Sequence, residues 1–189
     1  MKLKTAVQVA HTLAAEVLKE GEIAVDATAG NGHDTVFLAH QVGEAGHVFA
    51  FDLQKQALKN TETRLKEAGF CERVTLIHAS HHLAESYIKK EEKLTLALFN
   101  LGYLPGGDKS IVTKVETTLR AAEFFLRVLK PNGRVILVLY PGHEEGRLEA
   151  AEVETWASRL PQSQFTVQKT ATLNQINHPP YVITIEKRG

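Results

Sequence analysis

The chain is short of several things at once. Among 189 residues there is one cysteine, one methionine and one tryptophan, and aromatic residues make up 7%. A lone cysteine, Cys71, excludes an internal disulfide and with it the disulfide-stapled scaffolds of small secreted proteins. No apolar run reaches membrane-spanning length, and no secretory apolar segment follows Met1. The cytoplasm is therefore the expected compartment, and no membrane partner is expected. There is no excess of either charge, with 22 basic against 22 acidic residues. A nucleic-acid partner is thus not announced by bulk charge and would need a local basic patch. Repeats, low-complexity tracts and linkers are lacking too. The length fits one domain spanning residues 1–189, enough to bury a core without disulfide or metal. Monomer and homodimer are both open.

What is present is a strict alternation of periods. Thr5–Lys19 has apolar positions at helical spacing and is stopped by Gly21. The pattern then predicts a strand over Ile23–Ala27, a helix from Asn31 to Gln41, a strand over His47–Asp52 and a helix from Gln54 to Ala68. A strand over Val74–His78, a short helix over His82–Ile88 and a strand over Leu94–Asn100 follow. Ile111–Leu129 reads as a helix closed by Lys130-Pro-Asn-Gly133, and Arg134–Tyr140 as a strand apolar enough to be buried on both faces. Arg147–Arg159 is helical, and Gln164–Thr170 and Tyr181–Glu186 are two strands with no helix between them. Such an order implies an α/β, Rossmann-like, seven-stranded and mostly parallel sheet with an antiparallel C-terminal hairpin. In such sheets ligands bind beyond the carboxyl ends of the strands.

The loops at those ends carry the chemistry. Asp26-Ala-Thr-Ala-Gly-Asn-Gly-His-Asp-Thr35 leaves the first strand, and Val48-Phe-Ala-Phe-Asp52 closes the second. Gly30 and Gly32 allow close backbone approach to a ligand, and the following helix offers free N–H groups. The third glycine of the dinucleotide signature is missing. An acid before Gly-x-Gly and a second acid ending the next strand form the pattern of S-adenosylmethionine (SAM) sites, with Thr28 where a first glycine is usual. Asp52 would accept from the ribose hydroxyls, with Leu53 and Gln54 following it at the cofactor. Asp26 would hold the turn and meet the methionine ammonium, next to Ala27 and Thr28. Asn31 and the N–H groups near Gly32 would face the methionine carboxylate. Asp34 falls in a helix's first turn, where an acid also suits the helix dipole.

Asn100-Leu-Gly-Tyr-Leu-Pro105 stands where enzymes that methylate amino nitrogens carry Asn/Asp-Pro-Pro-aromatic. There the Asn carbonyl orients the amine, and the aromatic, here Tyr103, stacks on the base. Ser80-His81-His82 follows the third strand, where adenine is expected; Ser80 could reach its amino group. His81 and Asp34 are candidate proton acceptors. No metal is expected, since the paired histidines lack further ligands at suitable spacing. The loop before Tyr181, with Asn177 and His178, is rich in donors and acceptors and suits a polar substrate. Lys2, Lys4, Lys109 and Lys114 are the cations within reach of the ligand side.

Residues 26–35, the run Asn100-Leu-Gly-Tyr-Leu-Pro-Gly-Gly-Asp-Lys109 and the closing Asn177-His-Pro-Pro-Tyr181 together resemble the YtqB-type family of small bacterial methyltransferases, often labelled rRNA methylases. The resemblance covers essentially the whole chain. It implies SAM as cofactor and tRNA, through the anticodon stem-loop, as partner. The implied reaction is conversion of wobble 5-aminomethyl-(2-thio)uridine to its methylaminomethyl form, with Asn100, Tyr103, Asp34 and His81 at the chemistry. Tyr103, Lys109, Asn177, His178 and Tyr181 would touch substrate. Methylation of an rRNA base or a small amine, and a non-catalytic RNA-binding domain, are the competing possibilities.

Overall fold

A computed structural model describes residues 3–89, 91–102 and 114–189. Five strands, β1 (Ile23–Asp26), β2 (His47–Asp52), β3 (Val74–His78), β4 (Leu94–Leu101) and β5 (Leu129–Leu139), pair in parallel. Two more, β6 (Phe165–Thr170) and β7 (Tyr181–Lys187), add antiparallel in the order β3-β2-β1-β4-β5-β7-β6. This is the α/β sheet with a terminal hairpin that the alternation implies. The strand order reverses between β1 and β4, and a crevice opens there at the carboxyl ends.

The central strands are apolar on both faces because helices cover both. Along β4, Ala97, Phe99 and Leu101 enter one core while Leu96 and Leu98 enter the other. Helices α1 (Ala6–Val17), α2 (His33–Val42) and α3 (Lys55–Ala68) pack on the second core; α4 (Val115–Val128) and α5 (Glu144–Ser158) pack on the first. Helix α1 begins where Thr5 and Gln8 form a reciprocal cap: the Thr5 hydroxyl accepts from the Gln8 N–H at 3.3 Å, and the Gln8 side chain accepts from the Thr5 N–H at 2.9 Å.

Three elements differ from expectation. The stretch Lys130–Gly133, expected to close a helix, lies inside β5, whose pairing with β4 shifts register between Leu94 and Leu96. Asn132 takes a left-handed φ of 63° there, and a Cβ on Gly133 would sit 2.9 Å from two carbonyl oxygens. A turn composition has been absorbed as a bulge. The short helix expected over His82–Ile88 is a 3-10 turn over His81–Ser86. Helix α5 starts three residues before Arg147 because the His143 side chain caps it, its Nδ1 accepting from the Gly146 N–H at 3.0 Å. The part of the expected 111–129 helix before residue 114 lies outside the described residues.

Candidate active site

The turn after β1 is fastened from both sides. Asp26 is fully buried; its Oδ1 accepts from the Thr28 N–H at 3.1 Å and its Oδ2 from the Thr35 hydroxyl at 2.6 Å. Burial, and then the nearby Asp34 carboxylate, push its carboxyl up to about 7 against two hydrogen bonds that favour the charged form. Thr28 explains its own departure from glycine: its hydroxyl accepts from the Asn100 N–H at 2.8 Å, tying the turn to the end of β4. Asp52 accepts from the Gly30 N–H and, through its other oxygen, from the Gln54 N–H, both at 2.8 Å. A carboxylate has about four acceptor positions, so acceptor capacity remains for a ribose. Holding the turn and contacting a cofactor are therefore compatible in one residue.

Gly32 needs a different explanation from the one its motif gives. Its φ is +83°, and a Cβ there would lie 2.8 Å from the Thr61 Cα of α3. The close approach is to a neighbouring helix, and Gly32 is not among the residues lining the cleft. Asn31 does line it. Its side-chain oxygen accepts from Asn60 at 2.9 Å and its carbonyl from Arg64 Nε at 2.9 Å, so α3 holds this corner as well.

Asp34 sits between two partners. Oδ2 accepts from Asn100 Nδ2 at 3.0 Å, and Oδ1 accepts from Nε2 of His11 at 2.7 Å. The His11 ring lies flat on Phe37, with centroids 3.9 Å apart and an interplanar angle of 3°. Nothing in the local sequence marks His11, because α1 reaches the site only through the tertiary fold. Tyr140, at the end of β5, neighbours both Asn100 and Asp34; burial first, then the Asp34 charge, raise its phenol above the usual range against a hydrogen bond with Asn100. As the last residue of an apolar run, it carries no local sign of this role either.

On the β3 side the histidines are held by the protein itself. His81 is buried, its Nδ1–H donates to the Ala27 carbonyl at 3.0 Å, and its ring meets the face of Phe99 edge-on. Burial lowers its imidazole to about 4. Its Nδ1–H is committed to that carbonyl, so only Nε2 is left to meet a ligand. Its Nε2 is buried with no hydrogen-bond partner among the described residues. Ser80 shares a 2.7 Å hydrogen bond with His82 Nδ1. Leu53 and Gln54 line the cleft beside it, and the Leu53 carbonyl accepts from His78.

The opposite wall comes from the loop between β6 and β7. Asn177 and His178 line the cleft as expected, joined by Pro179, Pro180 and His143. Tyr181 does not, which corrects its assignment to substrate. It is the first residue of β7, and its ring enters the core under α5. There its hydroxyl donates to Glu154 at 3.1 Å and Lys169 lies 4.4 Å from the ring centre. One position along a strand reverses the face. Tyr103 and Lys109 lie outside the described residues, as does Lys2. Lys114 lines the cleft, whereas Lys4 is held at 2.8 Å on the Thr12 hydroxyl of α1.

The cleft between these walls measures about 1160 Å³, beyond the roughly 300–1,000 Å³ of common small-molecule sites. There is space for a nucleoside cofactor and part of a second ligand. Asp34 and Asp52 line it, with Asp26 buried beneath the turn, and Lys114 is the sole lysine or arginine among the described lining residues. An acid-rich cleft fits a ligand such as SAM, which carries positive charge on sulfur and on its amino group, and the first-turn N–H groups of α2, which have no partner within the helix, suit a carboxylate. Among the described residues no helix is long and apolar enough to cross a membrane.

Known proteins share this arrangement. The family model described as "Putative rRNA methylase" matches residues 48–186. A chloroplastic tRNA (mnm(5)s(2)U34)-methyltransferase of Arabidopsis thaliana is 38% identical over 98% of this chain and 71% of its own. A "putative rRNA-methylase" from Clostridium thermocellum superposes with a TM-score of 0.95 at 40% identity, covering 99% of this chain and 100% of that one. A "putative methyltransferase" from Streptococcus mutans, solved with S-adenosylhomocysteine (SAH), gives 0.90 at 39% identity over 98% and 99%. The length of these matches and the Rossmann-like sheet they share lead to one conclusion: the chain belongs to the rRNA-methylase-type family of SAM-dependent methyltransferases.

Proposed function

We propose that this enzyme methylates the exocyclic amine of 5-aminomethyl-(2-thio)uridine at the tRNA wobble position. The amine chemistry is supported by Asn100 and Asp34, hydrogen-bonded to each other at 3.0 Å on the wall of the cleft. The choice of tRNA is supported by the likeness to the chloroplast enzyme, which runs through almost the whole chain.

When bound, SAM supplies an electrophilic methyl group on a sulfonium. The rest falls to the protein. Asp52, Gly30 and Asn31 form the cofactor end, with Ser80 at the adenine side; Asp26 and Thr28 keep the turn in shape. An alkylamine with a pKa near about 10 arrives protonated. Asp34 accepts that proton, and the Asn100 side chain turns the nitrogen lone pair toward the methyl; most of the rate comes from this positioning. Desolvation of the amine as it enters the cleft favours the neutral form further, because it disfavours the cation. The uracil ring would rest against Tyr103 and the Asn177–Pro180 wall. Single-stranded RNA is commonly read this way, by stacking and base-edge hydrogen bonds. Lys114, with Lys109 and the N-terminal lysines, would meet only a few phosphates, which implies a shallow salt dependence, each contact adding about 0.7–0.9 to the log–log slope.

Mass spectrometry of tRNA nucleosides from a strain lacking the gene tests the reading. Accumulation of the aminomethyl nucleoside, with loss of the methylaminomethyl form, is expected. An unchanged tRNA profile would refute the tRNA substrate and move the reaction to an rRNA base or a small amine.

A further inference from the structure

The cleft has a second layer behind Asp34. Asp34 lines the cleft; His11, bonded to its far oxygen, lines a separate shallow groove on the outside of α1 with Thr12, Ala15, Glu16 and Phe37. The carboxylate is therefore a partition, gripped by Asn100 from within and by His11 from without. Its two grips have different origins. Asn100 comes from the β4 end at the centre of the sheet, and His11 from the helix that precedes β1.

We propose that His11 is a positioning residue for methyl transfer, fixing through its Nε2–H the Asp34 carboxylate that faces the substrate amine. The inference rests on the aminomethyl-transfer reading. Three observations carry it. The 2.7 Å contact is directed at a carboxylate oxygen, which can only accept, so Nε2 carries the proton. Phe37 lies one turn beyond Asp34 on α2, and its parallel stack clamps the imidazole plane so that Nε2 points at Asp34. Thirdly, Asp34 stands close enough to the buried Asp26 to raise it. Two neighbouring acids cannot both be charged cheaply. Burial first of all raises the Asp26 carboxyl, which keeps a proton under the turn, while the Asp34 oxygens stand at the cleft between the Asn100 and His11 donors. The step itself is a simple balance. The ammonium N–H bond breaks with its electron pair left on nitrogen, and the proton moves to Asp34. The freed lone pair then forms the N–C bond as the S–C bond of the cofactor breaks.

A merely structural contact would fasten α1 to α2 and nothing more. Two substitutions separate the cases. His11→Phe keeps a ring to stack on Phe37 but has no N–H; His11→Gln lacks the ring but returns an amide N–H where Nε2 was. Each is measured for kcat and KM with an anticodon stem-loop bearing the aminomethyl nucleoside, for SAH affinity by calorimetry, and for melting temperature. For His11→Phe, kcat should fall about 10–30-fold while SAH affinity and KM stay within about twofold, as expected when only a transition-state contact is lost. His11→Gln should recover to within about threefold of the parent. The proposal is overturned if His11→Phe keeps its kcat, if His11→Gln is as slow as His11→Phe, or if kcat falls only in step with melting temperature and SAH affinity. Asn100→Ala in the same assays separates this from the underlying reading. Fast Asn100→Ala refutes amine positioning itself, whereas slow Asn100→Ala with fast His11→Phe refutes His11 alone.

Discussion

The two walls of the cleft are built on opposite plans. On the β1–α2 wall nearly every polar group is already engaged: Asp26 with Thr28 and Thr35, Asp52 with Gly30 and Gln54, Asn31 with Asn60. The wall between β6 and β7 is the reverse. Residues 171–178 are exposed, Leu173 and Ile176 almost completely, and among the described residues the stretch 171–180 makes no side-chain hydrogen bond of its own. A cofactor has one shape, and preorganised donors and acceptors bind it without an ordering cost. A nucleotide presented by a large RNA brings its own surroundings, and a wall with few internal contacts is free to meet them. The contrast suggests that the first wall serves SAM and the second the acceptor, with Asn100 and Asp34 at their meeting line.

The sharpest way to break that division is at the meeting line. Asn100→Ala should lower turnover by about 100-fold or more while the melting temperature changes little, because its backbone N–H keeps Thr28. Turnover within a few-fold of the parent would remove Asn100 from the chemistry.

On the rigid wall, Asp52→Ala should weaken SAM and SAH by about 1.5–3 kcal/mol, the value of a charge-assisted contact. It should also lower the melting temperature, since Gly30 and Gln54 lose their acceptor. Calorimetry showing unchanged affinity would refute the ribose assignment. Gly32→Ala tests the packing alone: with φ at +83° and Thr61 in the way, it should destabilise by about 1–3 kcal/mol in a denaturant melt. A neutral outcome would mean that α3 shifts freely, and the wall would not be rigid.

The buried acid gives a pH signature. Asp26 is raised to about 7 when folded, above its ordinary value of 3.8. Between those values the native state holds a proton that the unfolded chain has released, so stability contributed by this group is present at low pH and is lost as pH rises through about 7. Asp26→Asn, which has no such titration, should flatten the decline in stability of the ligand-free protein between about pH 5 and pH 8. An equal decline in both proteins would place the origin elsewhere. The smallest structural effect is expected on the open wall. Asn177→Ala should leave melting temperature and SAH affinity within error while raising KM for the RNA severalfold. Equal losses in SAH affinity would show that the two walls are not separate.

Much of this was legible one residue at a time. The periods predicted all seven strands, because strands buried on both faces show as apolar runs and the half-buried final pair as alternation. The acids at 26 and 52 and Asn100 announced the ligand side, since each ends a strand whose carboxyl end opens on the crevice. Composition misled where packing outranked it. Lys130–Gly133 looks like a stop, but Leu94 and Leu96 of β4 pair with Leu129 and Arg134 on either side of it, and the four residues are taken up as a bulge. Tyr181 looked available to substrate because its neighbours are; its strand register turns it into the core.

By itself the sequence determined the seven strands with their antiparallel final pair, the glycine turn after the first strand and the family, all of which depend on local periodicity and short motifs. Only the tertiary structure decided which groups share a proton. His11 lies 23 residues from Asp34 and Asn100 lies 66 residues beyond it. No local period links them, and the electrostatics of a buried carboxylate depend on distances that exist only once three separate elements have packed together.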